Sequence, residues 1–455
     1  MDIQTLLQKQ QSFYKQQETK KLSFRLQALD TLKHIIIKNE TAINQALKED
    51  LNKSPFETYM TEIGMVLSEL SYIQKYLPKW YKPHKVKTPL TQFHAKSYTL
   101  SEPYGVCLIM SPWNYPFQLT MEPLIGSIAG GNCSIIKPSA YATHTSQLVE
   151  NLIKQAFPED YISVIQGGRQ ENTALLEQSF DFIFFTGGVT VGKLVMEKAA
   201  QHLTPVCLEL GGKSPCIVDH TADIPLSAKR IAFGKFLNAG QTCVAPDYLL
   251  AHESIKEQLI SEIKKNIHLF FGDNPLDNQN LPKIINEKHF KRLMNLIQSE
   301  DIYCGGNTDK QIKISPTIVD NVSPESSLMQ EEIFGPILPV LTYQKIEDII
   351  EFITNRPKPL ALYLFSSSKE TQNKILQEVS FGGGCINDTI IHLATSNMGF
   401  GGVGSSGMGN YHGKKSFETF THEKSIVNKS TWLDLSMRYH PYTEKNYKML
   451  KRFLK

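Results

Sequence analysis

At 455 residues the chain is too long for one simple core, and its length suggests about two to four domains. Hydrophobic residues make up 41% and charged residues 20%, the composition of an ordinary globular protein. The net charge of +3, from 48 Lys and Arg against 45 Asp and Glu, argues against a nucleic-acid coat or a strongly acidic partner.

The chain opens on "MDIQTLLQKQQSFYKQQ", which is polar and lacks the apolar region of a secretion signal. Residues 1–78 carry apolar side chains at helical spacing, for example Leu22, Leu26, Leu29, Leu32 and Ile36, and predict helices. "LPKWYKPHKVKTPLTQ" (77–92) holds three prolines and reads as a connector. A buried strand is expected over Val106–Met110. Short apolar runs then alternate with helical stretches: strands over 132–139, 161–168 and 180–188, helices over 144–157 and 191–203. A second set follows, with strands over 214–219, 247–253, 336–343 and 360–368 and helices over 222–238 and 254–272. The rhythm predicts an α/β protein with two doubly wound parallel-sheet lobes that divide near "LELGGKSP" (208–215). Ligands bind in the clefts of such folds. No run approaches a membrane span. The seven cysteines are scattered, odd in number and without a C-x-x-C pair. No disulfide framework and no metal site are therefore expected, and a reducing cytoplasmic compartment fits them.

Several stretches could carry chemistry. In "NAGQTCVAPDY" (238–248), Cys243 follows a Gly-Gln-Thr turn. Backbone N–H groups there could lower the thiol pKa and hold an oxyanion, although a lone Cys is more often a small core residue. Glu209 in "LELGG" is flanked by leucines; desolvated, its pKa would rise and suit proton abstraction, the alternative being an ion-paired strand end. Asn114 in "SPWNYPF" could donate to an oxyanion or simply form a turn. "FFTGGVTVGK" (184–193) places Gly187, Gly188 and Gly192 between a strand and a helix, a context for phosphate, but matches neither G-x-G-x-x-G nor a Walker loop. Lys137 in "IIKPSA" stands at a strand end, where it meets a ribose or phosphate or lies on the surface. In "MQEEIFGPILP", Glu332 could bind ribose hydroxyls and Phe334 stack on a planar ring, or both could belong to an ordinary core edge. The stretch 398–425 holds seven glycines from Gly399 to Gly413 and would wrap a pocket mouth or form a surface loop.

Together "PWNYPF", "KPS", "LELGGKSP", "GQTCVAPDY", "EEIFGP", "PLALYLFS" and "FGGVGSSGMGNYHGKKSFETF" resemble, in order and spacing, the aldehyde dehydrogenase superfamily, and within it the class 3 branch acting on fatty and aromatic aldehydes. The likeness runs from about residue 20 to 430. It implies NAD(P)-dependent oxidation of an aldehyde, long-chain aliphatic, aromatic or terpenoid, to the acid. Catalysis would rest on Cys243 as nucleophile, Glu209 as general base and Asn114 as oxyanion donor. Lys137, Gly187, Gly192, Glu332 and Phe334 would contact NAD or NADP in an atypical Rossmann domain. The resemblance further implies a dinucleotide-binding domain of residues 1–82 and 102–209 and a catalytic domain of 210–396. A small β oligomerisation arm from 83–101 and 413–430 would make a homodimer, leaving a tail at 431–455.

Three departures bear on this. Ala140 stands where relatives often carry an acid that binds the adenosine ribose, so NADP⁺ should be tolerated. Gly188 replaces a hydroxyl residue and removes a phosphate contact. Gly399 replaces a common Pro and is expected to loosen its loop. The end, "RYHPYTEKNYKMLKRFLK", is basic and aromatic; it suits a solvated tail, packing on a partner subunit, or weak contact with anionic lipid. A thiol esterase or acyltransferase, or a non-catalytic dinucleotide-binding homologue, would use the same residues differently.

Overall fold

The computed structural model describes residues 2–454. Three sheets organise the chain. The first has six strands, in the spatial order Gly407–Met408, Val206–Leu210, Phe182–Gly187, Val106–Met110, Cys133–Lys137 and Ile162–Val164. All its pairs are parallel except that of the short edge strand Gly407–Met408. Val106–Met110 and Cys133–Lys137 are buried along their whole length, as continuous apolar runs covered on both faces must be. The helices Thr143–Ala156 and Val189–Ala200 are crossovers of this sheet. N-terminal helices, Ile3–Lys15, Leu22–Lys38 and Gly64–Trp80 among them, pack their apolar stripes into the same core.

The second sheet has seven strands, with Ile337–Tyr343, Tyr248–His252 and Pro215–Val218 at its centre. The chain crosses from the first sheet to the second through Gly211–Ser214, straight after the strand that carries Glu209. The third sheet is small and antiparallel: His84–Val86, Ala95–Pro103 and Thr421–Lys429.

Some elements differ from the sequence expectation. The connector begins later than residue 77, because Gly64–Trp80 continues through Pro78, giving up one N–H bond near its C-terminal end. The glycine-rich stretch is no surface loop. Gly407 and Met408 pair with Glu209 and Leu208, and the backbones of Phe400 and Tyr411 exchange two hydrogen bonds of 2.9 Å. Those bonds anchor the chain just after Gly399, where a Cβ would meet the Lys415 side chain at 2.8 Å. The helix Lys414–Thr419 packs on Gln118–Gly130, and the antiparallel arm resumes only at Thr421. The tail forms the helix Glu444–Phe453, with Tyr447 and Leu450 exposed beside Lys451 and Arg452. Among the described residues no helix is long and apolar enough to cross a membrane, and no group of three or more His, Cys, Asp or Glu is gathered for a metal.

Candidate active site

Cys243 sits where two cavities meet. One, of about 440 Å³, is a cleft between the two large sheets; Asn114, Gly187, Glu209, Cys243, Glu332 and Phe334 all line it. The other, of about 190 Å³, is walled by apolar side chains including Met60, Met65, Phe233, Val244 and Ile391. Leu119, Cys243, Phe400 and Tyr411 border both.

The loop that carries the thiol is held from several sides. Asn238 and Ala239 adopt left-handed backbone, each with φ of 51°. The Asn238 Nδ2 amide donates to the carbonyls of Asn114 (2.8 Å) and Gln241 (3.2 Å), and the Asn114 Nδ2 amide donates to Gln241 O (3.1 Å). Flanking Cys243, Thr242 Oγ1 pairs with the Tyr115 hydroxyl (2.6 Å), and the Tyr363 hydroxyl donates to Val244 O (2.5 Å). The turn bearing Asn114 rests on a fully buried ion pair, Lys53–Glu62 at 2.5 Å. Glu62 accepts from the N–H groups of Phe117 and Gln118 at the start of the helix Gln118–Gly130, while Lys53 donates to Asn114 O (3.1 Å) and lies over the Tyr115 ring. The pair is worth keeping because both partners are otherwise hydrogen-bonded; losing one would strand a buried charge.

Burial pushes the Cys243 thiol up to about 12, helped by the negative charges of Glu332 and Glu209. The N–H groups of Cys243 and Val244 pull the other way and are outweighed. The sequence expectation of a lowered thiol pKa is corrected accordingly: desolvation exceeds the loop dipoles here. Glu209 is 3% exposed, and burial raises its carboxyl well above the usual range. Its Oε2 has no hydrogen-bond partner, while Oε1 faces Cys207 Sγ at 3.9 Å. The glycine-rich segment makes room for it: a Cβ on Gly401 would stand 3.1 Å from Glu209 Oε1, and one on Gly409, at φ of 91°, only 2.5 Å from Cys207 Sγ.

The remaining sequence candidates divide. Glu332 is pushed up to about 8 by burial and by Asp247. Phe334 has a left-handed backbone (φ 51°) and meets Trp113 edge to face at 5.2 Å. Lys137 is buried rather than a surface lysine; its ammonium donates to Pro138 O (2.8 Å), its pKa is lowered by burial to about 8, and it lies outside the cleft lining. Gly192 is also absent from the lining. It sits in the first turn of Val189–Ala200, where a Cβ would meet Leu210 at 2.5 Å, so it lets the helix approach the strand.

Residues not singled out from the sequence complete the walls: Tyr115, Leu119, Tyr411 and His412 near the thiol, and Thr186, His289 and Arg292 in the cleft. Tyr115 lay within a quoted motif; Met60, Phe233 and Ile391 come from distant segments with no local signal.

The cleft fits a dinucleotide. It opens where the strand Phe182–Gly187 runs into the N-terminus of Val189–Ala200, and Gly187, Gly188, Val189 and Thr190 line it. Nothing stands within 4 Å of where a Gly188 Cβ would be, and Thr186 Oγ1 is buried without a partner. A parallel-sheet lobe with such a cleft, facing a second lobe that brings a thiol to it, has the build of a nucleotide-binding enzyme with a cysteine at the bound cofactor's end. Residues 1–426 match the model of the aldehyde dehydrogenase family. The chain is 49% identical over 447 residues to 4,4'-diaponeurosporen-aldehyde dehydrogenase of Staphylococcus aureus, covering 98% of this chain and 97% of that one. It is 46% identical over 415 residues to the dimeric NADP-preferring aldehyde dehydrogenase of Rattus norvegicus, covering 91% of each. A solved structure of Staphylococcus aureus AldH in a substrate-bound state superposes with a TM-score of 0.98 at 48% identity, over 100% of both chains. The chain belongs to the aldehyde dehydrogenase family, and is an oxidoreductase that uses NAD or NADP to oxidise an aldehyde.

Proposed function

We propose that Cys243 is the nucleophile, Asn114 the oxyanion donor and Glu209 the general base in oxidation of a bulky apolar aldehyde. The observation that carries this is the thiol's position, shared by the cleft that holds Asn114, Glu209 and Glu332 and by an apolar cavity. The aldehyde enters the apolar side, and the Cys243 sulfur, its proton given up to water, bonds to the carbonyl carbon. The oxygen's developing charge is taken by the second N–H of the Asn114 carboxamide and by the Cys243 backbone N–H. When bound, a nicotinamide cofactor would supply the acceptor for the hydride lost from that carbon, so that aldehyde plus one water would become the carboxylic acid. Glu209 then takes a proton from the water whose oxygen attacks the acyl carbon, the S–C bond breaks and the thiol is regenerated. Thr186, Gly187, Gly188, Glu332 and Phe334 would hold the cofactor, with Glu332 on the ribose and Phe334 against the ring. Lys137, buried at the end of its strand, would reach the adenosine ribose by exchanging its Pro138 contact.

Asn114→Ala should lower kcat by about 10²–10³, the worth of one oxyanion donor, with little change in cofactor KM. Steady-state kinetics with a medium-chain aldehyde check this; an unchanged kcat removes Asn114 from the mechanism.

The apolar walls favour long-chain aliphatic, aromatic or terpenoid aldehydes, and the Staphylococcus aureus relative is named for 4,4'-diaponeurosporen-aldehyde. A panel of aldehydes graded in chain length tests the class: kcat/KM should climb with apolar length, and a preference for small hydrophilic aldehydes refutes it. For the cofactor, exposed Ala140 offers no carboxylate to repel a 2′-phosphate, and the rat relative is named NADP-preferring. Ala140→Glu should shift the ratio of kcat/KM toward NAD⁺ by about tenfold or more, a single like-charge repulsion. A wild-type kcat/KM for NADP⁺ about a thousandfold below that for NAD⁺ would defeat the idea.

We also infer a cytoplasmic homodimer. The outer edge of Thr421–Lys429 has no strand partner among the described residues, and long edge strands pair when they can. The seven cysteines are all free, as a reducing compartment keeps them. The basic tail helix suits weak contact with anionic lipid.

A further inference from the structure

Three separate segments carry the groups of the site: Glu209 leads into 211–214, Cys243 into Asp247, and Glu332 and Phe334 share a loop. Asp247 touches all three. Its N–H donates to Ser214 O (2.8 Å), its Oδ1 accepts from Ile333 N (2.9 Å), and its Oδ2 pairs with Lys213 Nζ. Lys213 spends its other two protons on Leu328 O (2.7 Å) and Glu331 O (2.8 Å). Asp247 is 3% exposed and the Lys213 side chain 14%, so the pair works in a medium where misalignment is costly. Packing allows no slack beneath it. A Cβ on Gly240 would lie 2.2 Å from Gly335 O, and one on Gly211 would lie 2.1 Å from Glu332 Oε2. Phe334, between Ile333 and Gly335, keeps a left-handed backbone that persists only where the surroundings over-determine it.

We propose that the Lys213–Asp247 pair is a positioning staple: it locks the Glu332–Phe334 loop onto the Cys243 segment, and so governs transfer of hydride to the cofactor rather than attack by the thiol. Neither residue borders the reacting sulfur; both act through Ile333 and Glu331, the neighbours of Glu332. The inference rests on Cys243 as nucleophile and on Glu332 and Phe334 as cofactor contacts.

The test compares two reactions at one thiol: cofactor-dependent aldehyde oxidation, and hydrolysis of p-nitrophenyl acetate, which needs no cofactor. In Asp247→Asn and Lys213→Met, cofactor KM should rise, and the ratio of oxidation to ester hydrolysis should fall by at least about tenfold. Lys213→Arg, which keeps the charge, should recover part of the ratio. Parallel loss of both reactions, or a ratio within about twofold of wild type, overturns the staple. If Asp247→Asn fails to fold, Lys213→Met is read by the same criterion. Ester hydrolysis that survives in Cys243→Ala would instead overturn the thiol assignment, which separates the two failures.

Discussion

Cys243→Ala should remove aldehyde oxidation, lowering kcat by about 10⁵ or more, as losing a nucleophile does where no neighbour can replace it. Dinucleotide binding, followed by calorimetry, should persist, because the strand-to-helix turn, Glu332 and Phe334 form that part of the cleft without the sulfur. Oxidation surviving at a tenth of the wild-type rate would sink the assignment. The thiol's own titration gives a second check. Burial holds its pKa near 12, and only the thiolate attacks. Alkylation of the cofactor-free enzyme by iodoacetamide should therefore be slow at neutral pH and rise about tenfold per pH unit, a slope that a thiol ionised at neutral pH would not give.

Glu209→Gln should have the next largest effect, and on a different step. The amide keeps the shape of the side chain but cannot take a proton from water. Formation of the acyl thiol would proceed, while its hydrolysis slows by about 10²–10⁴. Rapid mixing should then show a burst of reduced cofactor close to the enzyme concentration, followed by a slow steady rate. Equal loss in burst and steady phases would contradict the role. The pH dependence has a definite sign. Burial raises the Glu209 carboxyl, which disfavours the ionised form that acts as the base. Only the ionised form assists, so deacylation should accelerate with rising pH until the group has titrated. The Gln variant should lose that dependence.

Sequence patterning reached the parallel strands because their apolar runs are uninterrupted; Val106–Met110 and Pro215–Val218 are buried throughout. It missed the helix Gln118–Gly130 for a related reason. Every residue of that helix is buried, so it has no polar face and no 3.6-residue period to detect. The strand Gly407–Met408 escaped because glycines carry no pattern, although they are what lets the backbone reach Glu209. In the site, the polar groups sat in recognisable motifs, whereas the apolar cavity is assembled from Met60, Phe233 and Ile391, which meet only in three dimensions. Gly192 shows the limit of motif reading: a glycine beside a phosphate turn can serve the packing of helix on strand instead. The thiol's raised pKa was equally out of reach, since the depth of its burial is a property of both lobes together.

The segment through Gly401, Gly407 and Gly409 has a meaning beyond its pairing with the Glu209 strand. Gly407 and Gly409 take φ values of 139° and 91°, and side chains at these positions would press on Leu208 and Cys207. The space around the carboxylate is thus sculpted by omission, from a stretch nearly two hundred positions away along the chain. One added methyl at 401 would meet the Gly409 carbonyl at 2.2 Å and the acid at 3.1 Å, wedging the segment apart beside the carboxylate while every residue that touches substrate stayed the same. Function here depends on atoms that are not there, and such a dependence leaves no trace in an inventory of reactive groups.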